Sequence, residues 1–148
     1  MIGAYKQFNQ KLHDQCDPPA RLAVGAWIEM NWRYKTDDYD KYKVDLVCSK
    51  DGVNKFYVEI EMREWLAGSN LPYKTVHIPS RKEKLFNNDL KTVYFVVSQD
   101  LKHGLYTNTD NIKKSPRIEV KNKAIANGEY FYDVPTEMWT YVNLSDIF

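Results

Sequence analysis

Three carboxylates lie in a part of the chain that otherwise reads as two β-strands. The stretch KYKVDLVCSKDGVNKFYVEIEMREW, residues 41–65, places Asp45 inside an apolar run and alternates Glu59 and Glu61 with hydrophobic residues. Because side chains alternate between the two faces of a strand, Glu59 and Glu61 project from the same face. The Asp-Gly pair at 51–52 predicts a hairpin turn between the two runs. If the strands pair through that turn, the three carboxylates converge.

Such a convergence suggests a cation. Like charges placed this close destabilise a fold unless a positive charge relieves their repulsion. Mg2+ prefers carboxylate and water oxygens, and Mn2+ accepts the same ligands. The alternative is a solvated strand face, since Glu-x-Glu is common on exposed strands. Asp45 fits that alternative less well, because an unpaired carboxylate in an apolar run is costly to bury.

Two helices are predicted ahead of these strands. Tyr5, Phe8 and Leu12 follow helical spacing and predict a short N-terminal helix. The run DPPARLAVGAWIEMNWR predicts a second helix that begins at Asp17, which is a good N-cap, with Pro18 in its first turn.

Further strands follow the carboxylates. Ser80 and Glu83 match the capping box of a helix start, and KTVYFVVSQD is apolar on both faces, as in a central strand that is covered on each side. Three tail segments, HGLYTNT, PRIEVKNK and EYFYDVP, predict more strands, whereas TEMWTYVNL could be a short helix or a strand. The order predicts an α/β (α+β) fold, a mixed β-sheet with flanking helices.

The bulk composition favours one cytoplasmic domain. The chain has 148 residues, of which 43% are hydrophobic and 14% aromatic, enough for one packed core and too few for two ordinary domains. No apolar run is long enough to cross a bilayer, the N-terminus is too polar for a secretory signal, and two cysteines make no framework. The formal charge of +1 neither demands nor excludes a nucleic-acid partner.

Residues 17–105 resemble the PD-(D/E)xK nuclease-like superfamily, which includes restriction endonucleases and small phage nucleases. In that resemblance Asp45 matches the motif aspartate, Glu59 the second acidic ligand, and Glu61 the position usually held by lysine; the backbone carbonyl of Ile60 is a further metal ligand. The resemblance implies a restriction-endonuclease-like sheet, a Mg2+-dependent endonuclease, and the cytoplasm of a bacterial or phage-infected cell. The whole chain, 1–148, is then one nuclease-like domain whose residues 106–148 form a strand-rich extension.

Two departures from the motif matter. Val44 stands where the motif has proline, and the motif lysine is missing. Activation of water would then come from Glu61, from metal-bound hydroxide, or from a lysine elsewhere in the chain. A nuclease fold that binds without cleaving is the alternative.

Other charged residues are candidates for the same site. In several branches of the superfamily a helix glutamate completes the metal shell, so Glu29 is a candidate metal ligand; otherwise it pairs with Arg33 one turn later. Arg63 projects from the same face of the strand as Glu59 and Glu61, where it contacts phosphate or neutralises the two glutamates. A basic group surrounds the predicted helix start and either binds phosphate or forms a solvated helix face. Its members are His77, Arg81, Lys82 and Lys84.

The tail carries a basic stripe as well: Lys113, Lys114, Arg117, Lys121 and Lys123. Together these patterns favour a metal-dependent nuclease that acts on DNA, with RNA not excluded, and with structure-specific or weakly sequence-specific cleavage, because so small a domain has little surface for reading bases. A homodimer is possible, and no membrane partner is expected. The alternatives are a noncatalytic module that binds nucleic acid or a host protein, and a structural protein whose carboxylates are simply exposed.

Overall fold

A computed structural model describes residues 10–39, 44–63, 75–122 and 125–145. The elements, in chain order, are α1 (Gln10–Asn31), β1 (Lys35–Asp38), β2 (Leu46–Lys50), β3 (Val53–Arg63), β4 (Thr75–Pro79), a first 3-10 helix (Ser80–Asn87), β5 (Thr92–Ser98), β6 (His103–Asn108), α2 (Thr109–Lys114), β7 (Arg117–Asn122), β8 (Ile125–Pro135), a second 3-10 helix (Thr136–Met138) and β9 (Thr140–Asn143).

These strands form two sheets. The large sheet has six strands in the order β1-β2-β3-β5-β6-β9, and the small sheet has three in the order β4-β8-β7. Neighbouring strands are antiparallel except β3 and β5, which are parallel. The expected mixed α and β architecture with a mixed sheet is therefore confirmed.

The large sheet is covered on both faces, as the apolar run of the central strand predicts. On one face, α1 buries Val24 and Ile28 against Val58, Ile60 and Phe95. The expectation of flanking helices holds on that face. The other face is covered mainly by the small sheet and the first 3-10 helix, and its buried residues include Tyr57, Ile78, Leu85, Tyr94 and Val134.

The hairpin that carries the carboxylates forms where the sequence predicts it. β2 and β3 pair through Lys50 and Val53, so Asp51 and Gly52 are the two turn residues. Their φ angles are 55° and 77°, which is the left-handed conformation that a two-residue type I′ turn requires at both positions. Gly52 adopts this conformation without the steric cost that a side chain brings.

The predicted helix start at Asp17 is wrong. α1 begins at Gln10 and continues through Pro18 and Pro19. Proline has a fixed φ of about −65°, which is compatible with a helix, although its missing N–H removes an intrahelical hydrogen bond. The apolar residues beyond the prolines, Val24 and Ile28 among them, anchor the helix on the sheet. Tyr5 and Phe8, on which the separate N-terminal helix rested, lie outside the described residues.

The capping box at Ser80 is also wrong. The segment is a 3-10 helix whose N-cap is Pro79, with no hydrogen bond from a capping side chain. Ser80 Oγ instead donates to the carbonyl oxygen of Tyr130 at 3.0 Å, and Glu83 pairs with Arg117 at 3.4 Å. Contacts with the small sheet thus replace the local cap. The ambiguous tail segment contains both possibilities, a short 3-10 helix followed by β9.

Candidate functional site

The polar side chains on one face of β3 point toward the small sheet. Val58 and Ile60 pack against α1, so Glu59, Glu61 and Arg63 project from the opposite face, as alternation predicts. Glu59 is only 8% exposed. The solvated-face interpretation is therefore wrong for Glu59, whose buried charge needs a partner.

Asp45 lies directly before β2 and closes the ladder between β2 and β3. Its N–H donates to the carbonyl oxygen of Val58 at 3.0 Å, and its Oδ2 accepts the N–H of Ile60 at 2.8 Å. The ladder begins at the pair of Leu46 with Val58, and Asp45 directly precedes that pair. Since the N–H and C=O of one strand residue point to the same neighbour, the Ile60 carbonyl also points toward the β2 side. The Asp45 carboxylate is thus held against the residue that follows Glu59 on β3.

The buried Glu59 has a lysine as its partner. Lys82 extends from the first 3-10 helix, and its Nζ lies 2.5 Å from Glu59 Oε2. The side chains are 19% exposed for Lys82 and 10% for Glu59. Little water screens this pair, so the lysine compensates most of the cost of burying the carboxylate.

Glu61 has partners of its own on both carboxylate oxygens. Oε2 accepts from Arg63 Nε, and Oε1 accepts from the Tyr94 hydroxyl at 2.9 Å. Arg63 also donates through Nη2 to the backbone carbonyl of His77, so it joins β3 to β4. These partners differ from the metal-bound water that the sequence associates with Glu61.

The Tyr94 hydroxyl is held in its neutral form. Tyr94 has no exposed surface, and burial together with the neighbouring charge of Glu61 raises the pKa of the phenol well above its ordinary value. A hydrogen bond from Tyr57 to Asp89, at 2.7 Å, is the main cause of a raised pKa at Tyr57 too. Both phenols therefore serve as hydrogen-bond donors at neutral pH.

These shifts predict a loss of stability at alkaline pH. Tyrosine in an unfolded chain ionises at about pH 10. Above that pH the unfolded chain binds fewer protons than the folded one, so the free energy of unfolding falls as the pH rises. We expect Tyr94→Phe to make this fall shallower by up to about 1.4 kcal/mol per pH unit. Urea unfolding at a series of pH values from neutral to alkaline measures it, with the exposed Tyr130→Phe as control. Equal slopes for Tyr94→Phe and the wild type would contradict the assignment.

Glu29 is placed away from the other candidate ligands. It lies on α1, which packs on the opposite face of the large sheet from Glu59. Its Oε2 accepts the N–H and the hydroxyl of Thr36 at 2.9 and 2.7 Å, and these hydrogen bonds lower the pKa of its carboxyl. Gly25 permits this contact, since a Cβ at that position would lie 3.0 Å from Thr36 Oγ1. Glu29 thus ties α1 to β1.

Of the predicted basic group, Lys82 is the member that bonds to the carboxylates. Val76 and Ile78 are buried on one face of β4, and His77 projects from the other face. Its Nε2 lies 3.1 Å from Asp133 Oδ1. Arg81 pairs with Glu129 at 3.7 Å, and Arg81 and Lys84 are both exposed. The last two remain on the solvent side of the first 3-10 helix.

The donor set suits a hard cation in kind. Asp45 and Glu59 offer carboxylate oxygens and Ile60 a carbonyl oxygen, which Mg2+ and Mn2+ prefer. Within the described ranges, no three or more Asp, Glu, His or Cys side chains form a group that could hold a metal ion. A metal at this place would therefore rest on two carboxylates and a carbonyl, and it would share Glu59 with Lys82.

Sequence reasoning missed the hydrogen bond from Tyr94 to Glu61 and the pairing of Lys82 with Glu59. Tyr94 lies in an almost wholly apolar strand, where a tyrosine is read as core. The signal that could have revealed this contact is the position of Tyr94 opposite Glu59 on the parallel strand β5. That position is known only once β3 is paired with β5. The sequence predicts Lys82 as a phosphate contact, but nothing in it joins Lys82 to Glu59, which lies 23 positions earlier.

Comparisons with known proteins add no family assignment: no family model matches this chain, and no curated protein is significantly similar to it. The helices of the described residues all fall short of the length and apolar character that crossing a bilayer requires.

Proposed function

We propose that this protein is a divalent-metal-dependent nuclease that hydrolyses phosphodiester bonds in DNA. The observation that carries the proposal is the contact between Lys82 and Glu59, made next to the point where Asp45 is held against Ile60. Two acidic groups, a carbonyl oxygen and a lysine are the groups of this proposed site. This combination supplies metal ligands and a positive charge together.

The order of elements supports the same function. α1 comes first, Asp45 stands at the start of β2, Glu59 lies on β3, and the first 3-10 helix precedes the central strand β5. That order is the one on which the resemblance to PD-(D/E)xK nucleases rests. The motif lysine is absent from position 61, and Lys82 brings an ammonium group to Glu59 from a different element. We therefore propose that Lys82 takes the place of the missing motif lysine.

Each residue has a role in this scheme. A bound divalent ion supplies Lewis acidity toward the phosphate and a more acidic water molecule. Asp45, Glu59 and the Ile60 carbonyl would hold that ion. Lys82 places positive charge where negative charge develops on the phosphate, and Tyr94 with Arg63 fixes Glu61 beside them. The exposed Arg81 and Lys84 contact the phosphate backbone, which gives sequence-tolerant binding.

The test is a cleavage assay on supercoiled plasmid, linear duplex, single-stranded DNA and RNA, with Mg2+, Mn2+ or EDTA. We expect metal-dependent cleavage of DNA that Glu59→Gln reduces by about a thousandfold, because the variant loses a ligand charge needed at the reacting centre. Glu119→Gln, which removes an exposed carboxylate from β7, is the matched control and should cleave like the wild type. Circular dichroism confirms that both variants fold.

Failure to cleave any of these substrates by a folded wild-type protein would overturn the nuclease. The second candidate, a noncatalytic module that binds nucleic acid, is favoured by one observation: Glu59 and Glu61 are already compensated by Lys82 and Arg63. A module of that kind would bind DNA equally well in Mg2+ and in EDTA, and Glu59→Gln would leave its affinity unchanged.

A further inference from the structure

A polar cavity of about 320 Å3 lies beside the large sheet at the opposite end of β3 from Arg63. It is bounded by the start of β3, the end of the first 3-10 helix, the segment before β5, and α2. Its charged lining residues are Lys55, Lys91 and Lys113 together with Asp89 and Asp110. Three positive and two negative side chains give the lining a net charge of +1.

The two carboxylates of the cavity are already engaged. Asp89 accepts the Tyr57 hydroxyl at 2.7 Å, and Asp110 pairs with Lys91 at 2.7 Å. The hydrogen bond from Lys91 is the main cause of a lowered pKa at the Asp110 carboxyl, and the charges of Lys114 and Lys113 lower it further. None of the described residues forms an ion pair with Lys55 or Lys113. These two ammonium groups are therefore available to an anion.

The cavity and the carboxylate site lie on the same face of the large sheet. Lys55 precedes Glu59 by four residues on β3, about 13 Å along the strand. It lines the cavity together with Leu85, which is buried in the core on the face of the sheet from which Glu59 projects. The first 3-10 helix spans the same interval, with Lys82 at Glu59 and Leu85 and Phe86 in the cavity wall. An extended polyanion that contacts Lys82 can thus reach Lys55.

We propose that this cavity binds a backbone phosphate of the nucleic acid whose scissile phosphate lies at Glu59 and Lys82. Lys55 and Lys113 donate to its oxygens. The second phosphate lies a few nucleotides from the first along the same strand. The cavity is a positioning site that fixes the register of the strand, and it rests on the nuclease function proposed above.

The double variant Lys55→Gln/Lys113→Gln removes both ammonium groups. Its binding to a fluorescein-labelled DNA duplex of about 20 base pairs is measured by fluorescence anisotropy in EDTA, at KCl concentrations from about 50 to about 300 mM. Loss of one phosphate contact should reduce the slope of log Kd against log salt by about 1 and weaken binding several-fold at low salt. The matched control is Lys35→Gln/Lys102→Gln, which removes two exposed lysines elsewhere and should leave the slope unchanged.

Equal slopes for the cavity variant and the wild type would overturn the phosphate site, and so would an equal reduction in the control variant or the absence of wild-type binding at low salt. Plasmid cleavage by the same proteins separates this failure from that of the nuclease. Cleavage by the wild type with no change in slope overturns the cavity alone. A reduced slope without cleavage by the wild type retains phosphate binding at the cavity and overturns the nuclease and the assignment of the cavity to its scissile register.

Discussion

Replacing Lys82 with methionine should lower the free energy of unfolding by about 3 kcal/mol, because removal of one partner leaves a buried charge without compensation. Glu59 and Lys82 are both largely buried and lie 2.5 Å apart. Methionine fills a similar volume and carries no charge. We expect Lys82→Met/Glu59→Gln to recover much of the loss, since the double variant buries no uncompensated charge.

Urea unfolding of the single and double variants measures this coupling. Arg81→Met is the matched control, because Arg81 is the adjacent residue, is exposed, and pairs with Glu129 only at 3.7 Å. It should cost less than about 1 kcal/mol. If Lys82→Met destabilises the protein no more than Arg81→Met does, the pair does not stabilise the fold.

Lys82→Met should also reduce DNA cleavage by about a hundredfold or more, if Lys82 stabilises charge that develops on the phosphate. The rate is measured at a temperature well below the unfolding midpoint of each variant, so that loss of folded protein does not enter it. A folded Lys82→Met that cleaves at the wild-type rate would remove Lys82 from the catalytic site while leaving its structural role intact.

Two substitutions at Asp45 should separate its structural role from its proposed role as a metal ligand. Asp45→Ala leaves the N–H of Ile60 without its acceptor, which should cost about 1 to 3 kcal/mol. Asp45→Asn keeps an oxygen that can accept this hydrogen bond, so its stability should stay close to that of the wild type. Both variants lose the negative charge, and both should reduce metal-dependent cleavage by about a hundredfold or more.

Urea unfolding and plasmid cleavage measured on the same preparations distinguish the two roles. Asp38→Asn, an exposed change on β1, is the control for loss of one carboxylate charge and should behave like the wild type in both assays. Wild-type cleavage by Asp45→Asn would mean that the carboxylate closes the β2 ladder and holds no metal.

The parts of the fold that the sequence predicted are those governed by local rules. The turn at Asp51 and Gly52, the alternation along β3 and the covered central strand all depend on residues close to one another in the chain. Tertiary contacts overrode the local signals elsewhere. Ser80 bonds to Tyr130 instead of capping a helix, and α1 passes through Pro18 and Pro19, with Val24 and Ile28 beyond them packed on the sheet.

The candidate site was predictable in its acidic half and not in its basic half. Strand alternation puts Glu59 and Glu61 on one face, but their partners come from outside the hairpin. Lys82 lies on the first 3-10 helix and Tyr94 on β5. Which lysine or tyrosine reaches the carboxylates depends on how residues 75–98 pack across β3, and sequence periodicity carries no information on that.

The position of β9 has a consequence for how the protein folds. β9 pairs with β6 at the edge of the large sheet, and Val142 and Leu144 are buried in the same core as Ala20 and Val24 of α1. Residues more than a hundred positions apart therefore complete one core, which favours slow folding. During synthesis the β6 edge, and the part of the core that Val142 and Leu144 complete, stay unprotected until residues 140–144 have left the ribosome, so nascent chains are exposed to aggregation until then.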